Sequence, residues 1–300
     1  MSELNRILDI AEGSLYPPNS EHEYCATDDP ELWSTHNLKQ NPQLLELRKK
    51  TYNYKFNSHG FRCDEFTTTS ELPILFLGCS HTMGVGLELQ DVWSKVLLEK
   101  IKDHTGKQIP FWNLSIGGSS IDRQATVLKK YIHTLNPKLI FFLIPSMFRR
   151  HIALTDRVVD YRPTRMNAGD YGERVIRHLF NAEYVLLNEN YAAYESYKSL
   201  RLIDTLAKLK KSKIYYHIGI ENQENNWSER RQVDDSQTPD WSLIQTMCDR
   251  LSSFNNLGVQ FEGRDVARDG SHLGVFSHRE FAENVFEKIV GTLPTGEISK

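Results

Sequence analysis

The chain has 300 residues, 39% apolar, 11% aromatic and 25% charged, with a formal charge of −3. That composition is ordinary for a water-facing globular protein, and a single core can grow to roughly 250–300 residues. With no basic excess and no basic stripe, a general nucleic-acid binder is excluded, and the longest apolar run, Leu139 to Pro145, is too short to span a bilayer.

Met1 to Gly13 alternates charged and apolar residues without a basic start followed by an apolar block, so no secretory signal is read there. Cys25, Cys63, Cys79 and Cys248 are scattered and form no Cys-x-x-Cys pair. They read as free thiols in a reducing compartment, which makes the cytoplasm the expected location. No His, Cys, Asp or Glu cluster has metal-ligand spacing and no phosphate loop opens a helix, so neither metal nor cofactor is expected.

Residues 1–70, rich in Asn, Tyr and Pro, lack sustained periodicity and read as an irregular extension packed on a core domain of residues 71–293. Leu72 to Leu77 is a buried first strand. A helix starts near Asp91, with Val92, Trp93, Val96, Leu97 and Ile101 along one side. Ile109 to Leu114 follows as a second strand. The next helix carries Ile121, Ala125, Leu128, Ile132 and Leu135 and stops at Asn136-Pro137. Leu139 to Ile144 is the clearest strand.

Residues 155–190, rich in Arg and Tyr, form an insertion of the length used for lids and binding loops. Leu200 to Leu209 is helical and Lys213 to Ile220 a fourth strand. Glu221 to Asp240 is an exposed loop, and a helix runs from about Trp241 to Phe254. A short strand falls near Val259 to Phe261. The last helix carries Phe281, Ala282, Val285, Phe286, Ile289 and Val290, and residues 294–300 are a tail. Strands alternating with helices predict an α/β fold whose central parallel sheet has about five strands.

Sites in open α/β sheets lie beyond the carboxyl ends of the strands. After the first strand stands Gly78-Cys79-Ser80-His81-Thr82-Met83-Gly84-Val85-Gly86. Gly78 permits a sharp turn that exposes the Ser80 hydroxyl, and Gly84 and Gly86 keep the loop slim for an approaching substrate. After the second strand, Asn113 to Ser120 carries Gly117-Gly118, able to present a backbone N–H to an oxyanion, with Ser119 or Ser120 as a helix cap. Before the last helix, Asp265-Val266-Ala267-Arg268-Asp269-Gly270-Ser271-His272 places an aspartate three residues before a histidine. That spacing lets the carboxylate hold one ring nitrogen while the other faces Ser80. Each segment alone also reads as ordinary turn chemistry; their order along the chain is what a Ser–His–Asp site needs.

These three segments, from about Leu72 to Val290, resemble the SGNH (GDSL-like) hydrolase family, with Gly78-Cys79-Ser80 where its first block reads Gly-Asp-Ser. Asn57-Ser58-His59-Gly60-Phe61-Arg62 resembles a segment that precedes that block in some members. The resemblance implies a three-layer α/β/α sandwich of flavodoxin-like type. It also implies Ser80 as nucleophile, His272 as base, Asp269 as its orienting partner with Asp265 a weaker alternative, and Ser80 and Gly118 as oxyanion donors. The third block departs from the family: Gly-x-Asn-Asp is expected, and Ile144-Pro145-Ser146-Met147-Phe148-Arg149-Arg150 is present. By position Ser146 replaces the asparagine, with one hydroxyl to donate.

The expected activity is hydrolysis of O-acyl esters through an acyl-enzyme. The leading substrate class by resemblance is a small molecule or carbohydrate carrying acetyl groups. Arg149, Arg150 and Tyr161 are candidate substrate contacts, with Arg162, Arg165, Tyr171 and Arg174 nearby in the insertion. His81 is given no catalytic role, and His217 reads as a core residue. Two other readings stay open: a binding or structural protein that keeps the fold with a degenerate oxyanion hole, and an acyltransferase using the same triad.

Overall fold

The computed structural model describes residues 12–33, 38–39, 41–67, 69–153, 158–161, 189–218 and 241–294. Ahead of the core, β1 (Glu21–His22) pairs antiparallel with β2 (Tyr54–Lys55), and between them lies the short helix α1 (Leu44–Arg48). The core then alternates: β3 (Ile74–Leu77), α2 (Ser80–Met83), α3 (Trp93–Thr105), β4 (Trp112–Asn113), α4 (Ile121–Leu135), β5 (Leu139–Ile144). A small hairpin follows, β6 (Arg150–Ala153) with β7 (Val158–Tyr161), and then α5 (Glu189–Lys210), β8 (Lys213–Ile218), α6 (Trp241–Cys248), β9 (Phe254–Asn256) and α7 (Val275–Ile289).

Five strands form one parallel sheet in the order β4-β3-β5-β8-β9. The unbroken apolar runs of β3 and β5 are what burial on both faces demands. On one face Leu75, Leu77, Ile140 and Phe142 pack with α4, α5 and α6 through Leu128, Ile132, Leu200, Ile203 and Ile244. On the other, Ile74, Phe76, Phe141 and Leu143 meet α3 and α7 through Trp93, Leu97, Phe281 and Val285. The result is the expected three-layer sandwich, each buried large side chain contributing roughly 1.5–3 kcal/mol.

From β3 the chain crosses to β4 on one side, then returns to lay β5 on the other. Loops leaving neighbouring strands in opposite directions open a crevice at the strand ends. Ser80 lies two residues after Gly78, at the end of β3 beside that crevice.

Some element bounds differ from expectation. The second strand shortens to Trp112–Asn113, at the sheet edge. The fifth strand is Phe254–Asn256, paired with Ile214 to Tyr216, and not Val259 to Phe261. After Leu257 donates to the Tyr216 carbonyl at 2.9 Å, the chain turns at Gly258, where φ is +60°. Phe261 spends its apolar surface on α7, stacking on Phe281 at 4.2 Å. The helix before it ends at Cys248, and α5 begins eleven residues before the expected Leu200. No helix among the described residues is long and apolar enough to cross a membrane.

Candidate active site

Ser80 opens α2, a single turn in which Thr82 and Met83 donate to the Cys79 carbonyl and Gly84 to that of Ser80. The first N–H groups of a helix have no acceptor within it, and that of Ser80 opens this turn. The turn is clamped from outside. Arg62, wholly buried, sends Nη1 to the carbonyls of Met83 (3.3 Å) and Gly84 (2.7 Å) and Nη2 to that of Leu87 (2.9 Å). Its guanidinium also lies over the Tyr54 ring at 4.2 Å. Asn57, from the same Asn-Ser-His-Gly-Phe-Arg segment, accepts from the N–H groups of His59 and Phe61 and so shapes the turn that delivers Arg62. That segment therefore supports the serine loop.

The loop before α7 brings the other two groups in. His272 Nε2 lies 2.7 Å from Ser80 Oγ, and His272 Nδ1 lies 2.6 Å from Asp269 Oδ2. Asp269 Oδ1 accepts the N–H groups of Ser271 and His272, both at 3.0 Å, while Thr27 Oγ1 donates to Oδ2 at 2.8 Å. Burial opposes ionisation of this carboxyl, but the His272 charge and these donors outweigh it and hold its pKa down to about 2. Asp265 stands apart from this chain: it accepts from Phe276 N, Ser277 N and Ser277 Oγ and so caps α7.

Gly86 makes the meeting of these loops possible. With φ at +78° its absent side chain leaves room for Ala267, whose Cβ would lie 2.7 Å from an added one, and its carbonyl accepts Arg268 N at 3.0 Å. The slim Gly84-Val85-Gly86 loop thus admits the acid loop and Val92, correcting the expectation that it clears a path for substrate.

The expected oxyanion donors fall in the loops after β4 and β5. Gly118 has φ +80°, and Ser120 caps α4 by accepting from Arg123 N at 3.4 Å. Buried Gln124 ties this loop to the serine turn: Oε1 accepts Gly78 N at 3.0 Å and Nε2 donates to Ser119 Oγ at 2.9 Å. Ser146 is half-buried, its Oγ accepting Phe148 N at 3.4 Å. Arg149 Nη1 reaches the Ser119 carbonyl at 3.4 Å. Tyr161 ends β7 in register with Arg150. Arg162, Arg165, Tyr171 and Arg174 lie outside the described residues, as does the loop expected at Glu221 to Asp240.

Two more imidazoles back the site. The His81 ring lies 4.7 Å from that of His272, and His278 lies 6.3 Å beyond His81. His278 Nδ1 accepts Trp93 N at 3.1 Å; burial, then the His272 charge, push its pKa down to about 3. His217 packs its ring against Phe281.

Sequence reading missed the contribution of the N-terminal segment. Besides Thr27, Asp28 is fully buried and accepts Arg268 Nε at 2.9 Å and Nη2 at 2.7 Å, together with the Tyr54 hydroxyl. Tyr54 Oη in turn accepts Gly86 N at 2.7 Å. The one sequence signal was an arginine directly preceding the candidate aspartate, and nothing in the spacing said that its partner lay near residue 28. Among the described residues, no group of three His, Cys, Asp or Glu side chains lies close enough to hold a metal ion.

No family model matches the chain. No curated protein matches it either. Among solved structures it is similar to TesA (15% identity, TM-score 0.46, 73% of this chain and 99% of that one). It is also similar to a family 3 carbohydrate esterase of Clostridium thermocellum (16% identity, TM-score 0.46, 73% and 96%). A third is the psychrotrophic esterase EstA of a Pseudoalteromonas species (14% identity, TM-score 0.44, 73% and 97%).

Proposed function

We propose that the chain is a serine ester hydrolase of SGNH type, acting on O-acyl esters. The observation that carries this reading is the unbroken contact from Asp269 Oδ2 through His272 to Ser80 Oγ, at 2.6 and 2.7 Å. In the first half-reaction His272 Nε2 takes the Ser80 proton as Oγ bonds to the ester carbonyl carbon. The carbonyl oxygen becomes an oxyanion facing the N–H groups of Ser80 and Gly118 and the Ser146 hydroxyl. The C–O bond to the alcohol then breaks, the leaving oxygen taking the proton from His272. Water attacks the acyl-enzyme by the same route, giving the carboxylic acid and free Ser80. Asp269 keeps the proton on Nδ1 and stabilises the imidazolium, a role suited to a carboxylate with so low a pKa.

Acetyl esters of carbohydrates are the substrate class that the family resemblance favours, and an acceptor alcohol in place of water would make the same site an acyltransferase. The rival reading, a non-catalytic protein on this fold, draws on the missing third-block asparagine. Against it stands the retention of Ser80, Asp269 and His272 together in hydrogen-bond contact, a set that a decayed site has little reason to keep. A fluorophosphonate probe is expected to label Ser80. Ser80→Ala and His272→Ala are each expected to lower turnover of a short-chain aryl ester by about 10⁶-fold. Turnover untouched by both substitutions refutes the assignment.

A further inference from the structure

The turn after β5 holds two adjacent cations that no described carboxylate neutralises. Arg150 is only 7% exposed. Its Nη1 donates to the carbonyls of Met147 (2.9 Å) and Arg149 (3.1 Å), while Nε and Nη2 are enclosed and have no hydrogen-bond partner. The Nε–Nη2 edge is one of the two faces with which a guanidinium grips a carboxylate or phosphate through two parallel bonds. Arg149 is half-buried, its one side-chain bond going to the neutral Ser119 carbonyl.

The nearby acid is already in use. Asp122 accepts His151 N at 3.0 Å on Oδ2 and Arg123 N at 3.1 Å on Oδ1. Arg268, also enclosed, is paired with Asp28, whereas Arg62, whose Nε is likewise unpartnered, donates from both terminal nitrogens to backbone carbonyls. Although the Arg150 guanidinium also lies 5.7 Å from the Tyr191 ring centroid, a buried cation without a counter-charge is costly to keep, so an empty bidentate edge points to a ligand that supplies the missing charge.

The turn also lies at the rim of the site. Ser146 is part of it, and Arg149 reaches Ser119, next to Gly118, which Gln124 joins to Gly78.

We infer that this turn is an oxyanion-binding subsite, and that the ester processed at Ser80 carries a second group, a carboxylate or a phosphate, held by Arg149 and Arg150. The substrate part of this inference rests on the hydrolase reading; the anion site itself does not. Two measurements separate them. The first follows thermal unfolding of Ser80→Ala with succinate, with inorganic phosphate and with chloride at matched ionic strength. Succinate or phosphate is expected to raise the midpoint above chloride, the larger shift identifying the preferred oxyanion, and Arg149→Gln or Arg150→Gln in that background is expected to abolish the shift.

The second compares kcat/KM for 4-nitrophenyl hemisuccinate and 4-nitrophenyl butyrate. The intact enzyme is expected to favour the charged ester by about tenfold, the scale of one charge-assisted hydrogen bond, with the ratio collapsing in Arg149→Gln. Arg150→Lys, which keeps the charge but loses the fork, is expected to retain part of the preference. An oxyanion shift without turnover of either ester leaves the subsite standing and removes the hydrolase. Turnover of both esters with equal kcat/KM and no oxyanion shift overturns the subsite.

Discussion

On one flank of Ser80 the Asp269 carboxylate accepts four hydrogen bonds, whereas on the other, after β5, Arg150 keeps Nε and Nη2 unclaimed by the protein. In the proposed reaction the difference follows from what each flank must meet. The acid–base flank handles charge that exists before substrate arrives, so its partners can be built in and fixed. The oxyanion flank must meet charge that develops only during reaction, and donors already satisfied by the protein would be useless there. A fully paired flank is read off a structure directly; an unpaired one is recognised by the donors left over.

Substitutions test that contrast, the strongest on the paired flank. Asp269→Asn keeps the shape of the carboxylate but favours the wrong imidazole tautomer, and kcat is expected to fall about 10⁴-fold with KM little changed. A fall below tenfold shows that the paired flank does not orient the base. Asp28→Asn leaves Arg268 buried without its counter-charge, and chemical denaturation is expected to show a loss of about 3–5 kcal/mol. Stability equal to the parent contradicts a structural role for that pair.

On the unpaired flank, Ser146→Ala is expected to lower kcat on the order of 100-fold if its hydroxyl is the third oxyanion donor. An unchanged kcat leaves the hole with backbone donors alone. The smallest effect concerns pH. His278 is held neutral in the fold with a pKa of about 3, whereas unfolded it takes a proton near pH 6.5. The unfolded chain therefore binds the extra proton between these values, and stability falls as pH drops below about 6.5, by about 1.4 kcal/mol per unit. Asp269 acts in the same direction, but only below about pH 4, where its unfolded form begins to protonate. Melting temperature is expected to fall between pH 7 and 5, and His278→Asn is expected to flatten that part of the curve.

Much of the fold was legible in the residues. Apolar runs such as Leu139 to Ile144 have one stable destination, the middle of a parallel sheet, and the β3, β5 and β8 strands lie where the sequence put them. Edge strands were less legible, because β9 is held by backbone pairing and its sequence, Phe254-Asn255-Asn256, lacks an apolar run. Ser80, Asp269 and His272 stood out because local motifs carried them. Thr27 and Asp28 did not, since a lone threonine or aspartate has no pattern until folding gives it a neighbour, and the motif that ends at Arg62 did not show what it supports.

The bond from Thr27 to Asp269 spans 242 positions of chain, and that from Asp28 to Arg268 spans 240. During synthesis the N-terminal half of these pairs leaves the ribosome long before the other half exists. Asp28, destined for a fully dry environment, must wait in water until Arg268 has emerged. Assembly of the centre therefore waits for both segments, with the slow closure that such distant contacts impose.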